Sequence, residues 1–414
     1  SLEEKMALEI RPNTIDEFKN LKQTNARASG LIYSDSDIDT FRLLFDPERS
    51  LCAFENGKIV GNVASYYTDM TIPGGTFLPT AGVAQVSVQA THRRKGILTM
   101  LMRRQLNEIN ERDEPIAFLG ASETAIYGRF GYGVSSFIQE WEFDKHNNTK
   151  FINGFNPKGQ IQFIEIEDAK KIFPDVYEKI RPSRPGFVSR KRANWDNNTG
   201  WDWVFKKSTL FGQNPNRFFI KYTVNSETQG YAIYKVNQTG PFAGELTIME
   251  LMALNIDAYK SLWRFCLDMD LVNTVKAPDR PLDDPILWML QNSRRKRTLT
   301  DSGWLRIVNV EKALAKRAYS FEGEINLQIE DKVCDWNNGI FNLQGSPLGA
   351  KCNRSSEKAD IVISASSLAS IYFGTTSFSN LFSAGLVEEN TPGSIQIADS
   401  MFRTNNYPWF TDIW

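Results

Sequence analysis

The residues best suited to chemistry in this sequence lie in a basic loop at positions 93–98, inside the stretch VSVQATHRRKGIL. A β-type run precedes the loop and an apolar stripe with helical spacing follows it, so the loop is predicted to open a helix. Backbone N–H groups at a helix N-terminus are unpaired and bind phosphate-type anions. Gly96 lets the backbone approach such a ligand closely, and Arg93 and Arg94 add charge-assisted hydrogen bonds. An alternative interpretation is a basic loop that only caps an amphipathic helix.

A second unusual segment is the aromatic end of the chain, NNYPWFTDIW. Terminal residues fray unless packing holds them, and an exposed apolar tail reduces solubility, so this tail is predicted to be buried. Its burial either seals a domain interface or places the terminal carboxylate of Trp414 at a useful site.

Mixed α/β elements are predicted along the whole chain, which is too long for one ordinary core. Residues 1–145 contain strands, the basic loop, a helix and a closing strand, FIQEWEFD. Residues 146–295 alternate strand-like and helix-like segments again. The basic run SRRKR at 293–297 is interpreted as a solvated linker. We therefore predict an α/β (α+β) fold with three domains, at 1–145, 146–295 and 296–414.

Composition and charge exclude several classes of protein. The net charge of −1 provides no basic field for nucleic acid or a membrane surface, and no apolar run approaches the roughly 18 residues that span a bilayer. Four scattered cysteines and two histidines fit neither a disulfide framework nor a metal site. No charged-then-apolar leader signals secretion. We predict a metal-free, cytoplasmic protein with no nucleic-acid or membrane partner.

The loop RRKGIL after VSV resembles the acetyl-CoA loop of the GNAT acetyltransferase superfamily, Arg/Gln-x-x-Gly-x-Gly/Ala, and departs from it at Leu98. THRRKGIL together with ASETAIYGRFGYG at 121–133 resembles the Eis family of acetyltransferases. The resemblance extends along essentially the whole chain. It implies a GNAT domain, a second GNAT-like domain and a C-terminal domain of sterol-carrier-protein type, the last suggested by INLQIEDKVCDWNNGIFNLQG and ADIVISASSLASIYFG.

The resemblance implies acetyl-CoA as a co-substrate and assigns roles to the matching positions. Those that would bind it are Val86, Ser87, Val88, Arg93, Arg94, Lys95, Gly96, Ile97, Leu98 and Ser122. Tyr127 matches the general acid that protonates the coenzyme A thiolate. The terminal carboxylate of Trp414 matches the general base, although family members commonly end on Phe. By residue type alone, the valines also fit sheet core, Ser122 with Glu123 fits a helix cap, and Tyr127 fits aromatic packing.

The implied function is an acetyl-CoA-dependent N-acetyltransferase that acts on primary amines, aminoglycoside-like or other small polyamines, by direct transfer. A polycationic acceptor favours an acidic pocket, but Ile413 beside the last residue offers no carboxylate. Candidate aromatic walls are Trp195, Trp201, Trp203 and Trp288. The resemblance also implies a homohexamer. Two alternatives stay open: a non-catalytic lipid or small-molecule binder that uses the C-terminal domain, and a protein-lysine acetyltransferase.

Overall fold

The structure, a computed structural model, describes residues 8–145, 149–190, 199–206, 210, 216–292 and 296–412. Within these residues it contains three β-sheets with helices packed on them, which confirms the mixed α/β class. The helices are α1 (Phe18–Ala28), α2 (Asp35–Arg42), α3 (Ile97–Glu111), α4 (Thr124–Tyr127), α5 (Ile166–Ile180), α6 (Thr199–Lys206), α7 (Ile256–Asp268), α8 (Ile286–Met289), α9 (Val310–Lys316), α10 (Ala365–Ile371), α11 (Phe378–Ser383) and α12 (Ser394–Phe402). The strands are β1 (Glu9–Pro12), β2 (Ser50–Glu55), β3 (Lys58–Thr71), β4 (Phe77–Val88), β5 (Ile116–Gly120), β6 (Gly133–Val134), β7 (Phe137–Asp144), β8 (Gln160–Ile164), β9 (Phe218–Val224), β10 (Glu227–Gly240), β11 (Ala243–Ala253), β12 (Thr274–Pro281), β13 (Lys296–Asp301), β14 (Gly303–Ile307), β15 (Gly323–Glu330), β16 (Gly339–Ser346), β17 (Gly349–Ser355), β18 (Ile361–Ser364) and β19 (Val387–Glu389).

The first sheet carries the basic loop, and its strand order is β1-β2-β3-β4-β5-β14-β6. Strands β2 and β3 are joined by a two-residue turn at Asn56 and Gly57, whose φ angles of 52° and 73° suit a hairpin turn. Strand β4 continues through the loop into helix α3 and returns as β5, which pairs with β4 in parallel. The basic loop therefore connects the carboxyl end of β4 to the N-terminus of α3.

Helix α3 packs an apolar stripe onto this first sheet. Leu101, Met102, Leu106 and Ile109 are buried there against strands β2, β3 and β4. Leu98, one turn before Met102 on the same stripe, is only partly buried because it lines the open cleft. The spacing of apolar residues therefore predicted the buried face of α3, except in its first turn, where Leu98 borders the cleft.

Two strands lie in sheets that chain order did not predict. FIQEWEFD, expected to close the first sheet, is β7 and lies in the second sheet, whose order is β13-β7-β12-β11-β10-β9-β8. Strand β14, expected in the third domain, instead pairs with β5 and β6 of the first sheet. Alternating polarity indicates which face of a strand is buried but not which strand it pairs with.

The basic run SRRKR is not a simple linker where the structure describes it. Lys296 and Arg297 begin strand β13 and pair with β7, where the Lys296 ammonium contacts the Glu142 carboxylate at 2.9 Å. Residues 293–295 lie outside the described residues. The run therefore contributes an edge strand to the second sheet.

The third sheet has the order β17-β16-β15-β18-β19 and packs against the first. One continuous core cluster joins them, with Tyr66 and Phe118 from the first sheet and Leu327 and Phe341 from the third. Phe410 of the C-terminal tail belongs to the same cluster. No helix in the described stretches combines the length and apolar character that crossing a bilayer requires.

Candidate active site

A cleft of about 750 Å³ opens beside the first sheet at the carboxyl end of β4. Strands β4 and β5 pair only from 80–82 to 116–118, and they separate beyond Gly82. A register shift between β3 and β4 at Gln85 and Val86 forms a β-bulge there. Val86, Ser87 and Val88 line the cleft. The strand separation therefore leaves main chain of β4 facing the cleft.

The N-terminus of helix α3 forms one wall of this cleft. Gly96 precedes the helix with φ at 80°, a left-handed conformation that favours glycine. The N–H groups of Ile97, Leu98 and Thr99 belong to the first turn and have no acceptor one turn earlier, and no side chain among the described residues caps this helix. Three donors and the positive end of the helix dipole therefore meet at the cleft, as anion binding requires.

The three basic residues of the loop have different surroundings. Arg93 donates a hydrogen bond of 3.0 Å from Nη2 to the carbonyl oxygen of Ala28, so part of its guanidinium is engaged in holding the loop to α1. Arg94 is exposed, lines the cleft and has φ at 63°. Lys95 is also exposed but does not line the cleft. Of the three, Arg94 is the best placed for a charged ligand.

Ser87 at the end of β4 is occupied by protein contacts. Its hydroxyl lies 2.8 Å from Asn25 Oδ1 and 2.7 Å from Asn62 Oδ1. These contacts join β4 to β3 and to helix α1 beside the cleft. The side chain of Ser87 therefore holds the bulged strand, while its backbone lines the cleft.

The short helix α4 places Tyr127 in the opposite wall. Ser122 and Glu123 line the cleft just before this helix, and Glu123, its N-cap residue, makes no capping hydrogen bond, so the helix-cap interpretation is wrong. Tyr127 ends the helix with a side chain that is 6% exposed. Its hydroxyl has no hydrogen-bond partner among the described residues, and burial raises its pKa. Tyr127 is thus a protonated phenol at neutral pH, free to donate into the cleft.

The C-terminal tail is buried from Pro408 to Asp412, where only Thr411 is partly exposed, whereas Tyr407 before it is 42% exposed. Phe410 and Asp412 are 2% and 1% exposed. The Phe410 ring lies 5.9 Å from the ring of Phe118, and Tyr66 Oη donates a hydrogen bond of 3.4 Å to the main-chain oxygen of Asp412. Trp414, whose carboxylate is the general base implied by the family resemblance, lies outside the described residues.

A buried charge cluster fixes the end of the tail. Arg190 has a fully buried side chain, and its Nε lies 3.0 Å from Asp412 Oδ2. Its two terminal nitrogens bind the Glu250 carboxylate at 3.0 and 2.6 Å. Burial lowers the pKa of the Arg190 guanidinium. The negative charges of Asp412 and Glu250 raise it by more, so the pKa lies well above its ordinary value. The cluster locks residue 412 to the second sheet.

The tail and Tyr127 lie on opposite faces of the first sheet. Successive residues of β5 alternate between faces: Phe118 packs with Tyr66 and Phe410, whereas Leu119 packs with Tyr127 and helix α3. The Tyr66 ring covers Gly82, since a Cβ atom there would lie 2.1 Å from Tyr66 Cζ. Gly82 is the last residue of β4 that pairs with β5. The tail therefore reaches the sheet where the two strands begin to separate.

Comparison with known protein families covers all three sheets. Family models described as acetyltransferase (GNAT) domains match residues 9–135 and 186–307, and one described as a sterol carrier protein domain matches residues 310–411. Matches to two GNAT domains and one sterol carrier protein domain agree with the family resemblance predicted from the sequence motifs.

Full-length relatives narrow the family further. An uncharacterized N-acetyltransferase of Streptomyces avermitilis is 33% identical over 410 residues, which cover 98% of this chain and 99% of that protein. The N-acetyltransferase Eis of Mycobacterium tuberculosis is 29% identical over 354 residues, which cover 84% of each chain. The crystal structure of Eis1 from Mycobacterium abscessus matches with a TM-score of 0.84 and 28% identity, covering 99% of this chain and 100% of that one. The chain belongs to the Eis family of GNAT N-acetyltransferases. The enzyme class predicted from its motifs is confirmed.

The sterol-carrier-type domain of this Eis-family enzyme does not favour the lipid-binder alternative. Its sheet buries Ile325, Leu327 and Leu343 in a continuous core. An open groove at the sheet edge carries charged Glu324 and Lys351 rather than an enclosed apolar lining. In the described part of the chain, no three His, Cys, Asp or Glu side chains are grouped to hold a metal ion.

Several residues at the Eis-family site were not found by sequence reasoning. Ala28, Ser29, Ile126 and Arg129 line the cleft without belonging to the recognised loop. Ala28 and Ser29 are residue types that do not indicate a binding site in a sequence. They line the cleft because α1 packs beside β4. Arg129 sits within the GRFGYG motif, and its charge next to Tyr127 was a signal that could have identified it.

The four tryptophans proposed as walls have different positions. Trp201 is 1% exposed and packs beneath Arg190, with the guanidinium 4.5 Å from its ring centroid. Trp288 is 79% exposed on the surface. Trp203 lines a pocket next to the cleft, and Trp195 lies outside the described residues. Of the three candidates that the structure describes, Trp203 is the one that lines a pocket adjoining the cleft.

Proposed function

We propose that this Eis-family protein transfers the acetyl group of acetyl-CoA directly to a primary amine. The observation that carries the proposal is the convergence of Tyr127 and the C-terminal tail on the separated strands from opposite faces of one sheet. An acid and a base on opposite sides of a reacting carbonyl suit a reaction in which one proton leaves the amine and another reaches the departing sulfur.

The proposed acyl transfer balances with these groups. The base takes a proton from the amine, whose nitrogen forms a bond to the acetyl carbon while the carbon–sulfur bond breaks. Tyr127 gives its phenolic proton to the departing sulfur, so the products are an acetamide and free coenzyme A. A main-chain N–H near Val86 would stabilise the negative charge that develops on the carbonyl oxygen.

The cleft supports acetyl-CoA as the acetyl donor. The first turn of α3 offers backbone donors for a pyrophosphate, and Arg94 adds a cation beside them. The separated end of β4 would hold the pantetheine arm by its main chain. Lys95, which does not line the cleft, is expected to contribute at most long-range charge.

The terminal carboxylate of Trp414 is proposed as the general base. Two residues beyond Asp412 reach at most about 7 Å, and Asp412 is held next to Tyr66 where β4 and β5 separate. A free α-carboxylate has a pKa near 3.5, which is poorly matched to neutral pH. Burial beside aromatic rings raises such a value and makes the carboxylate a better base.

A thiol-release assay tests the proposed function. Purified protein, acetyl-CoA and a panel of primary amines should release free coenzyme A, detected with a thiol-reactive chromophore, in equal amounts to acetylated amine measured by mass spectrometry. Peptides with a free lysine side chain belong in the same panel, because they test the protein-acetylation alternative. Binding of acetyl-CoA without thiol release on any amine would refute the proposal.

Blocking the chain terminus is expected to abolish turnover. Four residues added after Trp414 replace its carboxylate by a neutral amide, and we expect at least a 100-fold loss of kcat because a general base contributes about 10²–10⁴-fold. Acetyl-CoA affinity and melting temperature should stay unchanged. The matched control carries the same four residues at the N-terminus and should remain fully active. A fully active C-terminal extension would exclude the terminal carboxylate as the base.

The remaining expectations for this enzyme are proposals of assembly and location. The homohexamer implied by the family resemblance is checked by light scattering coupled to size-exclusion chromatography. The proposed partners are small-molecule amines rather than nucleic acid or membranes, and the proposed location is the cytoplasm.

A further inference from the structure

A small pocket of about 190 Å³ adjoins the cleft at the bulge of β4. The two cavities share Ser29, Val86 and Ser87, so the pocket opens toward the region where the thioester of acetyl-CoA is proposed to lie. Its other walls come from helix α1, the aromatic side chain of Phe41 on α2 and Trp203 on α6. Because the pocket adjoins the cleft at the bulge of β4, it is the candidate binding pocket for the acceptor.

The pocket contains a buried lysine to which none of the described residues provides a counter-ion. Lys22 on α1 lines the pocket and is 2% exposed. Its ammonium lies 4.0 Å from the ring centroid of Phe41, and no described residue offers it a carboxylate or a hydrogen bond. Desolvation by burial lowers its pKa to about 7. An unpaired buried cation is costly, so a pocket that keeps one is a candidate binding site.

The charged groups nearest to Lys22 do not neutralise it. Arg42 on α2 lies over the ring of Phe18 at 5.0 Å, which adds another cation to this cluster. Asp37 on the same helix accepts hydrogen bonds from the backbone and hydroxyl of Ser34 and caps that helix. Asp37 raises the pKa of Tyr33 in the pocket wall in addition to burial, but burial is the cause of the lowered pKa of Lys22.

The side chain of Gln85 at the bulge has an acceptor oxygen that lacks a hydrogen-bond donor among the described residues. Gln85 lines the pocket with φ at 56°, and this oxygen is buried. It adjoins Val86, where the proposed reaction takes place. An acceptor amine next to the thioester would give this oxygen the donor that it lacks.

We propose that this pocket binds an acceptor that carries both an amine and an anionic group, of the amino-acid class, with Lys22 pairing with the anion and Gln85 accepting from the amine. This proposal rests on the proposed acetyltransferase function and names its substrate class. The aromatic walls at Phe41 and Trp203 suit an apolar side chain on the acceptor. A polycationic aminoglycoside meets an unneutralised cation in this pocket and should bind poorly.

The test compares two probes that differ only in a carboxylate, phenylalanine and 2-phenylethylamine. Wild-type enzyme should show a kcat/KM for phenylalanine about 10- to 100-fold above that for 2-phenylethylamine, the worth of one charge-assisted contact. In Lys22→Met this preference should disappear through a higher KM for phenylalanine. Affinity for acetyl-CoA should be unchanged.

The matched control is Lys19→Met on the same helix. Lys19 is 57% exposed and pairs with Asp35 at the surface, so its loss should leave the preference intact. A second variant, Lys22→Gln, keeps a polar side chain but no charge and should behave like Lys22→Met. Both Lys22 variants remove a buried charge and should melt at or above the wild-type temperature, which shows that they fold.

Two measurements separate this proposal from the proposed function. Calorimetric binding of phenylalanine that is lost in Lys22→Met supports the pocket even if no amine is acetylated, in which case only the acetyltransferase proposal fails. Equal kcat/KM for both probes in wild type, or an unchanged preference in Lys22→Met, overturns the pocket assignment. Acetyl-Lys22 in the intact mass after incubation with acetyl-CoA would also overturn it, because Lys22 would then be an acceptor itself.

Discussion

Replacing Tyr127 by Phe is expected to lower kcat by about 10²–10⁴-fold, the contribution of a positioned general acid. The variant loses only the hydroxyl, which has no hydrogen-bond partner in the described structure, so packing and stability should hardly change. Without the acid, the sulfur must leave as an unprotonated thiolate. Acetyl-CoA binding should be retained because the first turn of α3 and the end of β4 are untouched. Single-turnover kinetics with acetyl-CoA and the best amine of the panel measure this loss.

The adjacent tyrosine provides a matched control. The Tyr132 ring lies 6.0 Å from that of Tyr127 in an edge-to-face contact, but Tyr132 is fully buried and does not line the cleft. Its hydroxyl is also without a partner among the described residues. Tyr132→Phe should therefore keep wild-type turnover. Equal activity of Tyr127→Phe and Tyr132→Phe would remove Tyr127 as the acid.

Replacing Arg190 by Met is expected to destabilise the protein by about 3–5 kcal/mol, because it leaves buried carboxylates without their cation. Arg190 is the only described cation that contacts both Asp412 and Glu250. Its loss should also release the tail from the second sheet and reduce turnover beyond the loss of stability. Denaturant unfolding followed by tryptophan fluorescence, together with kcat measured well below the transition, separates the two effects.

A surface ion pair provides the control for Arg190. Lys276 contacts Glu245 at 2.7 Å with side chains that are 30% and 26% exposed. Such pairs contribute about 0–1 kcal/mol, so Lys276→Met should change stability little. Asp412→Asn keeps the shape of the tail and leaves the Arg190–Glu250 pair in place. We therefore expect this substitution to lower kcat more than it lowers the free energy of unfolding. Full activity and stability in Arg190→Met would show that the cluster does not position the tail.

The sequence predicted the parts of the site that depend on neighbouring residues. A glycine ahead of an amphipathic helix, after a β-type run, was enough to predict where α3 begins, and anion binding at its first turn stays a prediction. The loop and IYGRFGYG motifs together identified the family, and the role of Tyr127 as the general acid stays a prediction. The aromatic composition of the tail predicted its burial, which is confirmed for Trp409 and Phe410 but wrong for Tyr407, whose side chain is 42% exposed.

The sequence did not predict which strands pair with each other when they are far apart in the chain. The alternation in FIQEWEFD predicted a strand but not its place in the second sheet, and β14 returns to the first sheet from far along the chain. Lys22 likewise looked like any lysine of an amphipathic helix. Only the approach of α2 and α6 to α1 buries it, with Phe41 and Trp203 as neighbours.

By itself the sequence determined the fold class, the family and the loop that opens α3, because alternation, helical spacing and the motifs that carry the family resemblance are all local in the chain. The tertiary structure alone decided which strands share a sheet, that Arg190 holds Asp412, and that Lys22 is a buried cation beside the cleft. The physical reason is that burial and electrostatic environment arise from contacts between residues far apart in the chain. The sequence shows which side chains can carry a charge, but the free energy of burying that charge depends on the residues that pack around it.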